Sequence, residues 1–135
     1  MEVERQPVAE EIVEYCQKRA PGVEFAIEGQ RSLLNKRMWL FLVVADLALN
    51  CAEAGAKTVK IEIDEGKLTV KDDAVHKNPE EILSRINLPL PESTKNRPGK
   101  GEGIWNIKQT LDRHGGELKY QAKNGRIIAV ATWTE

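Results

Sequence analysis

Hydrophobic residues recur along this chain with two different periods. Between Glu10 and Ala20, Ile12, Val13, Tyr15 and Cys16 form a partial apolar stripe, which predicts a short helix ended by Pro21-Gly22. Val23, Phe25 and Ile27 then alternate with Glu24, Ala26 and Glu28, which is a strand period closed by Gly29-Gln30. From about Leu33 to Ala54 the spacing is helical and very apolar. Met38, Leu40, Phe41, Val43, Val44, Leu47, Ala48 and Cys51 surround the axis widely, so this helix is expected to pack on more than one side. Gly55 is a natural C-cap.

Two alternating stretches, Thr58 to Ile63 and Lys67 to Asp72, flank Asp64-Glu65-Gly66 and predict a β-hairpin. Asn78-Pro79-Glu80-Glu81 combines a capping side chain, a first-position proline and early acids, the signature of a helix start, with the helix ending near Ile86. Asn87 to Gly103 holds Pro89, Pro91, Pro98 and three glycines and reads as a mobile loop. Ile104, Ile107, Lys108 and Leu111 restore helical spacing as far as His114, and Gly115-Gly116 stops it. Glu117 to Lys123 and Arg126 to Trp133 are strands joined by Asn124-Gly125, the strongest short hairpin signal. Hairpin-paired strands among helices argue for an α+β two-layer sandwich forming a single domain.

Composition narrows the function classes. The 135 residues suit one domain with one real core. Lys plus Arg is 20 and Asp plus Glu is 21, so the net charge of -1 gives no electrostatic case for a nucleic-acid or acidic-membrane partner. Cys16 and Cys51 match no metal or redox spacing and read as free thiols. The N-terminus has no signal-peptide pattern. The most apolar run, Met38 to Ala45, falls short of the ~20 residues a bilayer requires. A cytoplasmic location is expected.

Three segments carry candidate chemistry. Asp46 and Asn50 stand four apart in an apolar helix and so share one face. A carboxylate and an amide there are costly unless paired or ligand-bound; the helix alone favours a polar pair that caps a neighbouring loop. Asp72 lies where a strand runs out, a place where a carboxylate can accept from an exocyclic amine or simply form a turn. Gly99-Lys100-Gly101-Glu102-Gly103 opens a helix, where close backbone approach and free N–H groups suit a phosphate. Its spacing matches neither a P-loop nor a Rossmann fingerprint.

In this order the segments resemble the GHKL ATPase superfamily, which includes DNA gyrase, heat-shock chaperones of the ninety-kilodalton class and histidine kinases. Asp46 to Ala56 resembles the N-box, with Asn50 at the magnesium-ligand position. Val70 to Ala74 resembles the first glycine box, with Asp72 at the adenine position. Ser93-Thr94-Lys95 and then Gly99 to Ile104 resemble the lid end and the second glycine box, and His114-Gly115-Gly116-Glu117-Leu118 resembles the His-Gly-Gly turn. The Ser-Thr-Lys lid and the His-Gly-Gly turn point to the histidine-kinase branch. From Val23 to Trp133 the resemblance implies a Bergerat-type fold: a mixed, mostly antiparallel sheet with helices on one face. It implies an N-terminal helical segment over residues 1–22 and an ATP-binding domain over 23–135. It implies ATP and Mg2+ as ligands. The implied nucleotide contacts come from Asn50, Asp72, Ala74, Thr94, Lys95, Gly99, Lys100, Gly101 and Gly103, with Asn50 on the metal.

The sequence also departs from that pattern. The first glycine box usually reads Asp-x-Gly-x-Gly, and here Ala74 and His76 take the glycine positions. His76 and His114, the only histidines, fall in matched loop segments, so neither resembles a phosphoacceptor. In relatives that hydrolyse ATP or phosphorylate serine, a carboxylate four residues before the asparagine acts as base, which implies that role for Asp46. Lys95, Arg97 and Lys100 either neutralise γ-phosphate charge or line a solvated loop. Three functions stay open: a stand-alone module that phosphorylates a partner protein, on histidine or on serine as anti-sigma-factor kinases do; a non-catalytic module that keeps the fold; and a dimerisation domain built on the N-terminal helix.

Overall fold

A computed structural model describes residues 8–86 and 100–134, with side chains at 8–84 and 106–134. In chain order these form α1 (Val8–Arg19), β1 (Glu24–Gly29), α2 (Leu33–Lys36), α3 (Trp39–Glu53), β2 (Thr58–Asp64), β3 (Lys67–Asp72), α4 (Pro79–Ile86), α5 (Lys100–Arg113), β4 (Glu117–Lys123) and β5 (Arg126–Thr132).

The five strands make one sheet in the order β1-β2-β3-β5-β4. Only β1 and β2 run parallel, because α2 and α3 lie between them as the crossover; the other neighbours are antiparallel. Alternation gives the sheet two chemically distinct faces. Phe25, Ile27, Val59, Ile61, Ile63, Leu68, Val70, Leu118 and Ala129 are buried in one core with residues of α1, α3 and α5. On the other face Lys60 pairs with Glu28 at 3.1 Å and Lys71 with Glu62 at 3.4 Å, an exposed charge ladder across β1, β2 and β3. Helices on one face of a mixed, mostly antiparallel sheet are the α+β sandwich the sequence predicts.

The long helix expected from Leu33 to Ala54 is two helices. Arg37 leaves the helical region (φ -124°, ψ 82°) and its guanidinium reaches Glu65 in the β2–β3 turn at 3.4 Å. The break lets Leu33 and Leu34 enter the core separately from Leu40. The loop expected through Gly103 also ends early, since α5 starts at Lys100. Glycine disfavours helix by only about 1 kcal/mol per residue, and buried Ile107 and Leu111 anchor the helix further along.

Helices α3 and α5 end in the same way. Gly55 has φ +101°, its N–H donates to the Ala52 carbonyl, and the Ala56 N–H donates to the Cys51 carbonyl at 3.1 Å. This is a Schellman cap. Gly115 has φ +69°, with the Gly115 N–H on the Asp112 carbonyl and the Gly116 N–H on the Leu111 carbonyl at 2.8 Å. A Cβ at Gly116 would strike the Thr132 carbonyl. The Gly-Gly pair therefore serves a helix cap and a tight helix–strand approach. His114 stacks on Trp39 with ring centroids 4.0 Å apart, and Trp133 meets Trp39 edge-on at 5.7 Å.

Candidate functional site

The site forms where α3 ends beside the end of β3. On α3, Leu40, Val44, Leu47 and Cys51 follow one another at helical spacing along the face turned to the sheet, and the first three are buried. Asn50 stands next to that face, and the cap at Gly55 fixes this last turn in place. The amide nitrogen Nδ2 of Asn50 is buried without a hydrogen-bond partner among the described residues. A buried amide donor left unmet costs about 1–3 kcal/mol, so such groups call for an explanation.

On β3, Leu68 and Val70 are buried and Asp72 continues their phase. Its carboxylate therefore faces the helices. Oδ1 of Asp72 accepts the Ala74 N–H at 2.8 Å, which pins the carboxylate to its own turn. The Cys51 thiol lies near the same carboxylate, and burial first, then the Asp72 charge, pushes that thiol's pKa up. Tyr120 of β4 borders this group; burial first, then the neighbouring Cys51, raises its phenol pKa.

Asp73 has a different task. Oδ1 of Asp73 accepts the N–H groups of Lys57 at 2.8 Å and Thr58 at 3.1 Å, and these bonds hold its carboxyl pKa below the usual value. Asp73 thus ties the α3–β2 connection to the end of β3 and fixes α3 relative to Asp72. Sequence reasoning passed over Asp73, Cys51 and Tyr120. The strand phase that placed Asp72 inward was a usable signal for separating the two aspartates, whereas nothing local marks Cys51 or Tyr120.

Ala74 and His76 occupy the two positions where glycine was expected. Neither has positive φ; among the described non-glycine residues only Asn124 does. The methyl of Ala74 is buried in the core, and the His76 N–H donates to the Gly125 carbonyl at 2.8 Å. The backbone here does not demand glycine, so these substitutions leave the Asp72 turn intact.

Asp46 lies one helical turn before Asn50, on the side of α3 next to α1. Its charge acts on the Cys16 thiol, whose pKa rises to about 11, chiefly through burial. Burial likewise raises the carboxyl of Asp46. The folded state therefore holds its proton to a higher pH than the unfolded chain. Stability is lost as pH rises from the ordinary carboxyl value through the raised one. Asp46→Asn should stabilise the domain at pH 7 and change little at pH 3, as thermal melts at the two pH values would show. Equal effects at both would contradict the burial argument.

The sequence matches the family model described as histidine kinase-, DNA gyrase B- and HSP90-like ATPase over residues 35–133. The chain belongs to this family. Solved structures agree in fold. The nucleotide-free catalytic domain of histidine kinase ThkA has a TM-score of 0.66 at 19% identity, covering 99% of this chain and 96% of that one. The Acinetobacter baumannii histidine kinase AdeS has a TM-score of 0.61 at 14% identity, over 94% of this chain and 62% of that one. Full-length ShkA in complex with AMPPNP has a TM-score of 0.64 at 17% identity, over 100% of this chain but 32% of that one. Curated proteins give no significant sequence match.

Within the family frame, the structure places Asn50, Asp72 and Ala74 at the junction of α3 and β3. Thr94, Lys95 and Gly99 lie outside the described residues, as do Ser93 and Arg97. Lys100, Gly101 and Gly103 form the first turn of α5. No helix among the described residues is long and apolar enough to cross a membrane.

Proposed function

We propose that this domain binds ATP with Mg2+ at the α3–β3 junction and passes the γ-phosphoryl group to a partner protein in phosphosignalling inside the cell. The observation that carries the reading is the pairing of Asp72, a fixed and inward-facing carboxylate, with Asn50, whose buried amide lacks a partner among the described residues.

Each residue then has a role that its chemistry suits. Asp72 accepts the exocyclic amine of adenine. The unmet Nδ2–H of Asn50 suits a phosphate oxygen, and its amide oxygen is a hard, neutral donor of the kind Mg2+ takes. When bound, Mg2+ offsets charge on the β- and γ-phosphates. Lys100 and the glycines at the start of α5 offer phosphate contacts, joined by Thr94, Lys95 and Gly99. Asp46 orients or deprotonates the attacking hydroxyl or water, and its raised pKa suits a group that exchanges a proton. His114 stacks on Trp39 at the far end of α3 and so has a place in the fold.

Calorimetry with ATP, with and without Mg2+, tests this reading. Wild type should bind more tightly with the metal, and Asn50→Ala should lose most of that gain while its thermal melt stays cooperative. Undiminished Mg2+ dependence in Asn50→Ala would remove Asn50 from the metal. Binding without transfer to any partner or to water would favour a module that kept the fold without catalysis.

A further inference from the structure

We infer that Asp73 is a positioning residue for a ligand held at two points: its carboxylate joins the end of α3, which carries Asn50, to the end of β3, which carries Asp72. This deepens the nucleotide-binding proposal and rests on it.

The bridge can be followed bond by bond. After Asn50, the N–H groups of Ala54, Gly55 and Ala56 turn back onto the Asn50, Ala52 and Cys51 carbonyls of α3, each at 3.1 Å. The next two, of Lys57 and Thr58, turn forward onto Oδ1 of Asp73 at 2.8 and 3.1 Å. The Asp73 N–H returns to the Thr58 carbonyl at 3.3 Å. The regular β2–β3 ladder ends where Val59 faces Asp72, so the Asp73 side chain fastens the chain one step past the last strand pair. Ala56, between the two sets of bonds, is 3% exposed and anchors the bridge in the core. On the other side of Asp73, Oδ1 of Asp72 accepts the Ala74 N–H at 2.8 Å.

This bridge fixes a separation. Leu40, Val44 and Leu47 hold α3 on the sheet by apolar burial, which is non-directional. The helix cap belongs to α3 alone. Asp73 adds a directional tie between the last turn of α3 and β3. Its two N–H bonds hold the carboxyl pKa below the usual value, so at neutral pH it is the anion, the stronger acceptor. A ligand that touches both ends gains from a fixed separation, because its second contact forms without further ordering. A ligand that touches one end gains nothing. ATP with Mg2+ spans Asp72 and Asn50, whereas adenosine reaches Asp72 only. Loss of the bridge should weaken the first and spare the second.

The test uses the full chain with Asp73→Ala and Asp73→Asn. Asparagine keeps an oxygen that can accept both N–H groups, and alanine keeps none. ATP with Mg2+ is titrated by calorimetry, and adenosine by NMR. Alanine should weaken ATP with Mg2+ by about 3–10-fold, the scale of one modest hydrogen bond. Asparagine should stay within about 2-fold of wild type, and adenosine should hold within about 2-fold in both variants. A purely structural role would lower Tm and leave the affinities of the folded protein unchanged.

Amide hydrogen exchange supplies a second readout that needs no ligand. The Lys57 and Thr58 N–H groups should exchange slowly in wild type and in the asparagine variant, and rapidly in alanine. The Ile61 N–H, inside β2, should stay protected throughout, which shows that each variant is folded. Equal losses for the two ligands, asparagine as weak as alanine, an unweakened alanine variant, or rapid exchange of Lys57 and Thr58 in wild type would each overturn the inference. Should wild type bind neither ligand, the site reading fails, and exchange at Lys57 and Thr58 still decides whether Asp73 holds the bridge.

Discussion

Replacing Asp72 by asparagine should weaken ATP binding by about 10–150-fold, the worth of a hydrogen bond to a charged group, while leaving the fold intact. The reason lies in the two oxygens. In the variant, the new amide oxygen can still accept the Ala74 N–H that Oδ1 of Asp72 now accepts at 2.8 Å. The NH2 group would then face the site, where the exocyclic amine of adenine also brings donors. Donor meets donor, and neither is satisfied. Calorimetry gives the affinity, and a thermal melt checks that the variant is folded. A loss under about 3-fold would remove Asp72 from the base-recognition role.

The second large effect concerns stability. Leu47 is 2% exposed and sits midway along the core stripe of α3, between Val44 and Cys51. Leu47→Ala should cost about 2–5 kcal/mol through lost burial and a cavity that the sheet and neighbouring helices only partly close. Domains of this size are stable by about 5–15 kcal/mol, so the urea midpoint should fall markedly at unchanged slope. Nucleotide affinity of the folded fraction should change little, because Leu47 points into the core. A loss below about 1 kcal/mol would mean that the helices slide to fill the space. The contrast with Asn50, three residues on, separates what α3 does for the fold from what it does for the site.

That contrast also marks how far local sequence can be read. Helix spacing alone put Leu47 in the core and Asp46 and Asn50 on one face, and the two hairpins followed from alternation and turn residues. Asp72 was identifiable because it stands where a strand runs out, at the adenine position of the resembled glycine box. The break at Arg37 was not, because no glycine or proline between Leu33 and Ala54 marks it. Helical spacing that resumes after Arg37 does not reveal that the helix is interrupted there. The early start of α5 was hidden for a similar reason: glycine propensity argues against helix locally, and the burial of Ile107 and Leu111 outweighs it.

By itself, the sequence determined the α+β class and most element boundaries, and it named the two residues on which the proposed site rests. Those depend on periodicity, turn chemistry and motif order, all carried within short stretches. Tertiary structure alone decided what Asp72 and Asp73 bond to: one accepts the Ala74 N–H, and the other fastens the α3–β2 connection through Lys57 and Thr58. It also decided that Ala74 and His76 fit without glycine's conformational freedom. Such roles are set by what lies across a packed interface.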